Sequence, residues 1–548
     1  MKHAFKLVKG ASQVTVARIL ALFSLLAMLT FGPTNKPHYA SSNQPETLSE
    51  CANDCVDADG DGLCDSWEVA RGVDLNGDGR LDSAHDLRLR DADPSVPDIY
   101  VQYDWMGYGP MENACTTDSD CTSLWGNVGH AGETCSGPPI PGSARSCVYE
   151  CAKNRDCTGR GPSHAGERCV QDRCLHTHDP EIVSPGALNA VVESFSLRGF
   201  NLHLVRGRAL PHSHVLSFRL LNDLLYEDNT ITENVEGGSL ATGTAGEGQY
   251  AESFYDLKTR HFDPRRASVY RYVIFAHYNT CDSDSHCARA PAPMFARNLD
   301  GSPKMATPIF GVSGLAEMNG NDAMVSLAPD INDIGTPPQL LIVGGTFMHE
   351  LGHMLGLRHG GGSDTTGDAE DSPTYKPNYL SVMNLLYQKS GIVRARQPGT
   401  LEPTGCTSDS GCLPGEHCFG GYCARLDYST QTLPTWTSWP GFLDDGDLDE
   451  LMGLGSGNSD IILFDTSLNG TCPTGQAGPS NGPIDWDGSG IAGDNRHASI
   501  DLNRHDHPGV VDCPSLVRQV MRGHTDWGPA PGQSIFVYRF WCSAVGLD

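Results

Sequence analysis

His349-Glu350-Leu351-Gly352-His353-Met354-Leu355-Gly356-Leu357-Arg358-His359 is the stretch around which the rest of the chain is organised. Residues four apart share one face of a helix, so His349 and His353 present two imidazoles to one ion with Glu350 beside it. A helix continued past Gly356 would carry His359 away from that ion. A glycine takes a positive φ, ends the helix and folds the chain back, which makes His359 a third ligand. Three protein ligands leave a fourth position for water, the pattern of a catalytic rather than a closed structural zinc. The competing reading is a buried amphipathic helix that carries histidines incidentally. Against it stand the third histidine behind its glycine and Met383, which follows in Ser381-Val382-Met383-Asn384.

Together these residues resemble the metzincin metalloproteases, marked by a long zinc motif and a later Met-turn, and in particular the secreted bacterial ones. The resemblance is carried by 349–359 and 381–384 and is looser elsewhere. It implies an α/β (α+β) protease domain with a twisted, mostly parallel sheet, an active-site helix, a smaller lower subdomain and disulfide-rich insertions. It also implies that Met383 is the hydrophobic floor under the metal without ligating it. In several metzincin groups a tyrosine two residues after this methionine helps to stabilise the oxyanion. Leu385 stands there, and Tyr387 is the displaced candidate.

The N-terminus supplies an address. Lys2, Lys6, Lys9 and Arg18 precede the apolar run 19–31, too short to span a bilayer, so residues 1–40 read as a secretory signal. After its removal no membrane association is expected. The 548 residues carry a net charge of −29, which argues against a nucleic-acid partner and suits an acidic, calcium-binding extracellular protein. Nothing in the sequence fixes the oligomeric state. Twenty cysteines behind an export signal point to disulfides. Three copies of one four-cysteine unit recur, at Cys115, Cys121, Cys135, Cys147; at Cys151, Cys157, Cys169, Cys174; and at Cys406, Cys412, Cys418, Cys423.

Residues 41–97 read as a linker with calcium-binding acidic loops. Asp57, Asp59, Asp61, Asp65 and Glu68 fall at positions 1, 3, 5, 9 and 12 of an EF-hand-like loop with glycine at position 6. Asp74, Asn76, Asp78 and Asp82 repeat the pattern as a weaker candidate, its last carboxylate missing or supplied by Asp86. The tandem loops, with cysteines around them, resemble thrombospondin type 3 repeats. The protease domain is expected over 98–548, with cysteine-rich insertions at about 107–176 and 404–424. Strands are expected at 99–105, 200–205 and 269–278, a helix carrying Leu188, Val191, Val192 and Phe195, and a hairpin from 309–318 to 322–327. In metzincins an edge strand above the zinc helix pairs with the substrate backbone, and this hairpin is the candidate. A long apolar helix is expected from Gln339 into the motif, and an acidic helix over 444–450.

The expected function is a secreted zinc endopeptidase cleaving a protein or peptide substrate, with catalytic Zn2+, structural Ca2+ and Glu350 as general base. Two readings compete with it: a non-catalytic, calcium-dependent adhesion or binding protein on a protease-like fold, and a zinc hydrolase of non-peptide amides.

Overall fold

The computed structural model describes residues 55–107, 134–136, 146–148, 150–158, 168–170, 173–175, 177–211, 215–217, 252–276, 278–281, 294–297, 303–308, 313–327, 339–361, 375–435, 441–445, 447–466, 474–495, 497–500, 502, 520–522 and 524–527. The expected signal segment and the first cysteine unit's Cys115 and Cys121 lie outside these.

A five-stranded sheet is the frame. In chain order its strands are β1 (Asp98–Met106), β2 (Asn201–Leu210), β3 (Arg271–Ala276), β4 (Gly314–Ala316) and β5 (Asp322–Ser326). Their spatial order is β4-β5-β3-β1-β2. β1 pairs in parallel with β2 and β3, β3 in parallel with β5, and only the edge strand β4 runs antiparallel. Every residue of β1 is buried, as a central strand covered on both faces requires. The β1–β2 register shifts between Tyr103 and Trp105.

Alternate residues of the strands enter two different cores. On one face Ile99, Val101, Tyr103, Trp105, Val273, Phe275 and Val325 pack with helices α1 (Ala187–Leu197) and α2 (Gln339–Met354). α1 buries Leu188, Val191 and Phe195, the expected apolar stripe. α2 buries Leu341, Val343, Phe347, Met348 and Leu351, so it lies in the core rather than on it. On the other face Tyr100, Met106, Tyr272, Ile274 and Met324 pack with Leu63, Val73, Leu87 and Leu89. The acidic-loop segment therefore shares a core with the sheet.

A third core gathers Tyr387, Ile392, Leu433, Leu443, Ile462, Phe464, Ile484, Trp486 and Met521. Two antiparallel strand pairs feed it: Phe442–Asp444 with Val520–Arg522, and Ile461–Thr466 with Thr474–Pro479. The helix expected over 444–450 is not formed. The Leu448 amide and carbonyl bond across to Ala498, at 2.8 and 3.0 Å, and the Glu450 carboxylate accepts the amides of Asp487 and Asn495, both at 3.1 Å. Those partners replace the i→i−4 ladder of a helix.

Both described cysteine units pair their first cysteine with the third and their second with the fourth: Cys151–Cys169 with Cys157–Cys174, and Cys406–Cys418 with Cys412–Cys423. Cys55–Cys64 closes the first acidic loop. No helix among the described residues is long and apolar enough to cross a membrane.

Candidate metal centre

α2 delivers His349, Glu350 and His353, all buried, to the underside of the edge strand. Past Met354 the helix stops in a Schellman arrangement. Gly356 takes φ 90°, its amide donates to His353 O at 2.9 Å, and the Leu357 amide reaches back to Gly352 O at 2.8 Å. The reversal brings His359 to the other two. The Nε2 atoms of His349, His353 and His359 lie 3.0 to 3.1 Å apart. A tetrahedral zinc ~2.0–2.1 Å from each would space them at about 3.3 Å, so this triangle needs only a small expansion.

Hydrogen bonds fix the tautomers of two of these rings. His349 Nδ1 sits 2.7 Å from Val382 O and His353 Nδ1 2.8 Å from Leu357 O. Carbonyl oxygens only accept, so both Nδ1 atoms carry the proton and both Nε2 atoms present a lone pair. Lone pairs facing one another at this distance repel unless a cation lies between them. Burial first, and then the charge of neighbouring histidines (His353 and His359 for His349, His359 for His353), holds both imidazoles below their ordinary pKa, His353 at about 3, so both are neutral at physiological pH. The three histidines form a group able to hold a metal ion.

Met383 is fully buried under this triangle. A Cβ on Gly352, between the two helical histidines, would fall 2.3 Å from Met383 Sδ, so the sulfur rests against the bare backbone there. The turn that carries it is fixed by groups the sequence reading missed. Buried Asp526 accepts from Tyr379 Oη, Ser381 Oγ and the Ser429 amide, all at 2.8 to 2.9 Å, and Ser381 Oγ accepts the Met383 amide at 3.2 Å. Buried Lys376 donates to Gly360 O, next to the third histidine, and to Arg522 O. No local pattern marks Asp526 or Lys376 as important, because their partners are far away in the chain.

Glu350 lies against β4. A Cβ on Gly314 would meet its Oε1 at 2.4 Å, so the carboxyl occupies the space that any side chain there would fill. Burial holds this carboxyl well above the usual range. The hairpin turn is tied to the same helix, the Asn319 amide donating to His353 O at 3.0 Å. Tyr387 is not brought to the histidines. It is fully buried in the third core, and its hydroxyl accepts from the Leu463 amide at 3.1 Å. The shift of two residues along the turn sends the ring away from the metal side.

Each acidic loop is closed by its first aspartate. Asp57 accepts the amides of Gly60 and Gly62, and Asp74 those of Gly77 and Gly79, all at 2.7 to 2.8 Å. Ligand oxygens of Asp57, Asp59 and Asp61 lie within 4.8 Å of one another. Asp65 turns to the Ala58 amide at 2.8 Å, and Glu68 is buried at 1% exposure. In the second loop Asn76 accepts the Asp78 amide, Asp78 that of Arg80, and Asp82 faces His85. Buried Asp86 closes that loop by accepting the amides of Leu75 and Asp82 at 3.0 and 2.7 Å.

Comparisons with protein-family models, with curated proteins and with solved structures find no match to this chain.

Proposed function

We propose that the protein is a zinc-dependent endopeptidase of metzincin type, exported and acting outside the cell on protein or peptide substrates. The observation that carries this reading is the triangle of three Nε2 atoms at 3.0 to 3.1 Å, with Glu350 on the same helix and Met383 beneath. Bound there, zinc supplies the Lewis acidity that makes water nucleophilic near neutral pH and polarises a carbonyl. The chain's own residues do the rest. Glu350 accepts a proton from the attacking water and passes it to the departing amine, so that a peptide bond and one water become a carboxylic acid and an amine. Its buried position raises its proton affinity, as a group that must first take and then give a proton requires.

β4 closes one edge of the sheet directly beside Glu350. An extended peptide pairing along that edge would bind through main-chain hydrogen bonds and lie across the carboxyl. Calcium in the loop 57–68, and more weakly in 74–86, together with the disulfides, suits a protein that works in an oxidising, calcium-rich medium.

Casein cleavage that stops on adding a zinc chelator and returns with zinc tests the activity. Glu350→Gln should keep bound zinc and the fold while cleavage falls roughly a hundred- to ten-thousand-fold, the range for a lost general base. Near wild-type cleavage by that variant would overturn the assignment. Activity on small amides alone would favour the amide hydrolase, and none on any substrate the adhesion protein.

A further inference from the structure

We propose that the first acidic loop binds calcium jointly with the central sheet: Asp98, the first residue of β1, supplies an oxygen to the same cation as Asp57, Asp59, Asp61 and Glu68. The loop's spacing gives no hint of Asp98, which stands thirty residues beyond Glu68 at the start of an apolar strand. This inference rests on the calcium reading of the loop and is independent of the zinc chemistry.

Two groups of ligand oxygens meet at Asp61. Asp57, Asp59 and Asp61 form one, Asp61, Glu68 and Asp98 the other, and within each the oxygens lie no more than 4.8 Å apart. Asp61 is fully buried, Glu68 1% exposed and Asp98 3% exposed. The loop is already bonded to the strand, because Asp61 Oδ2 accepts the Asp98 amide at 2.6 Å. Asp98 itself is aimed rather than loose: Oδ2 accepts the Asp93 amide at 2.8 Å and Oδ1 faces His203 Nε2 at 2.5 Å, with the His203 ring stacked on Tyr100.

The second observation is what these bonds leave over. Both oxygens of Glu68 and Oδ2 of Asp59 are buried without any hydrogen-bond donor. A carboxylate removed from water with no donor and no counter-charge is strongly disfavoured. His203 and the Asp93 amide serve Asp98, and neither supplies Glu68. A cation at the meeting point of the two groups satisfies the orphaned oxygens at once. Five carboxylates and no nitrogen or sulfur define a hard, all-oxygen site of the kind calcium fills with six to eight ligands; magnesium, which keeps its waters and demands a tight octahedron, suits it less.

The consequence follows from where Asp98 stands. The residues after it, Ile99, Val101, Tyr103 and Trp105, lie in the core that also holds α2. A cation bridging loop and strand therefore pins the start of a strand that shares its core with the histidine helix.

The test uses the full-length oxidised protein stripped with EGTA and titrated with calcium chloride by calorimetry, with magnesium chloride as comparator. Glu68→Gln should abolish one binding event and so identify it, and Asp98→Asn should weaken that same event by about tenfold or more, as losing a charged ligand does. If Asp98→Asn leaves intact the event that Glu68→Gln removes, the shared site is wrong. If the wild type binds no calcium, the loop assignment itself fails. Because Asp98→Asn disturbs the sheet if it misfolds, hydrogen exchange on the wild type is the second measurement. Calcium should slow exchange of the amides over 99–105 by about tenfold or more, the sign of a stabilised local opening unit. Calcium binding with unchanged exchange there would overturn the coupling.

Discussion

The chemistry proposed for Glu350 depends on where its carboxyl can sit, and one missing methyl group decides that. With a Cβ on Gly314, the Glu350 Oε1, Cδ and Cγ atoms would be met at 2.4, 2.6 and 2.7 Å. All three distances are too short to survive, so Gly314→Ala must either push the carboxyl off its line or lift β4. Displacing a catalytic group by about 1 Å can cost about a hundredfold in rate. Gly314→Ala should therefore lower kcat by roughly ten- to a hundredfold, while zinc content after dialysis stays at one per chain. Unchanged kcat would show that Glu350 is not held by this contact. In the sequence Gly314 is one more glycine in a hairpin arm. Its role needs the helix that crosses beneath it, which no local pattern reports.

At the scale of elements, what was legible is what local spacing controls. The helix Gln339–Met354 appears where its apolar run predicts it, because a stretch buried all round has no competing environment. Its end was legible too: Gly356 adopts φ 90°, which an L side chain enters only with strain. Gly356→Ala should cost about 1 kcal/mol or more in folding. Its larger effect should fall on the metal, since His359 reaches the other histidines only through this reversal, and zinc should be lost on dialysis against a mild chelator that leaves the wild type loaded. A variant that melts lower yet keeps zinc as well as the wild type would contradict this. Where spacing met a distant partner, the reading failed. The acidic stretch 444–450 has helix-like composition, but Leu448 and Glu450 bond to the distant segment 487–498. Tyr387 failed similarly, since its hydroxyl is taken by Leu463 and sequence distance from the methionine says nothing of direction.

For the whole molecule, the cysteine units look equivalent in sequence and are not equivalent in the structure. Cys151, Cys157, Cys169 and Cys174 make a small cluster of their own. The unit at 406–423 is built into the core that holds α2 instead. Its strand Tyr422–Arg425 pairs with Ile392–Val393, and Phe419, Ala424 and Leu426 pack in the cluster that holds α2. Leu426 also fills the space beside Gly344 and Gly345 on that helix. Loop entropy does not distinguish the two units, since bridges closing 18 and 17 residues or 12 and 11 each stabilise by about 3 kcal/mol in the chain-entropy model. The difference must come from what each hairpin is packed against. Replacing Cys406, Cys412, Cys418 and Cys423 by serine should lower the melting temperature of the zinc-loaded protein and weaken zinc retention together. The same replacement of Cys151, Cys157, Cys169 and Cys174 should leave zinc retention near wild type, because among the described residues that cluster shares no buried apolar residue with the histidine core. Equal loss of zinc in both variants would mean that the second unit also supports the helix.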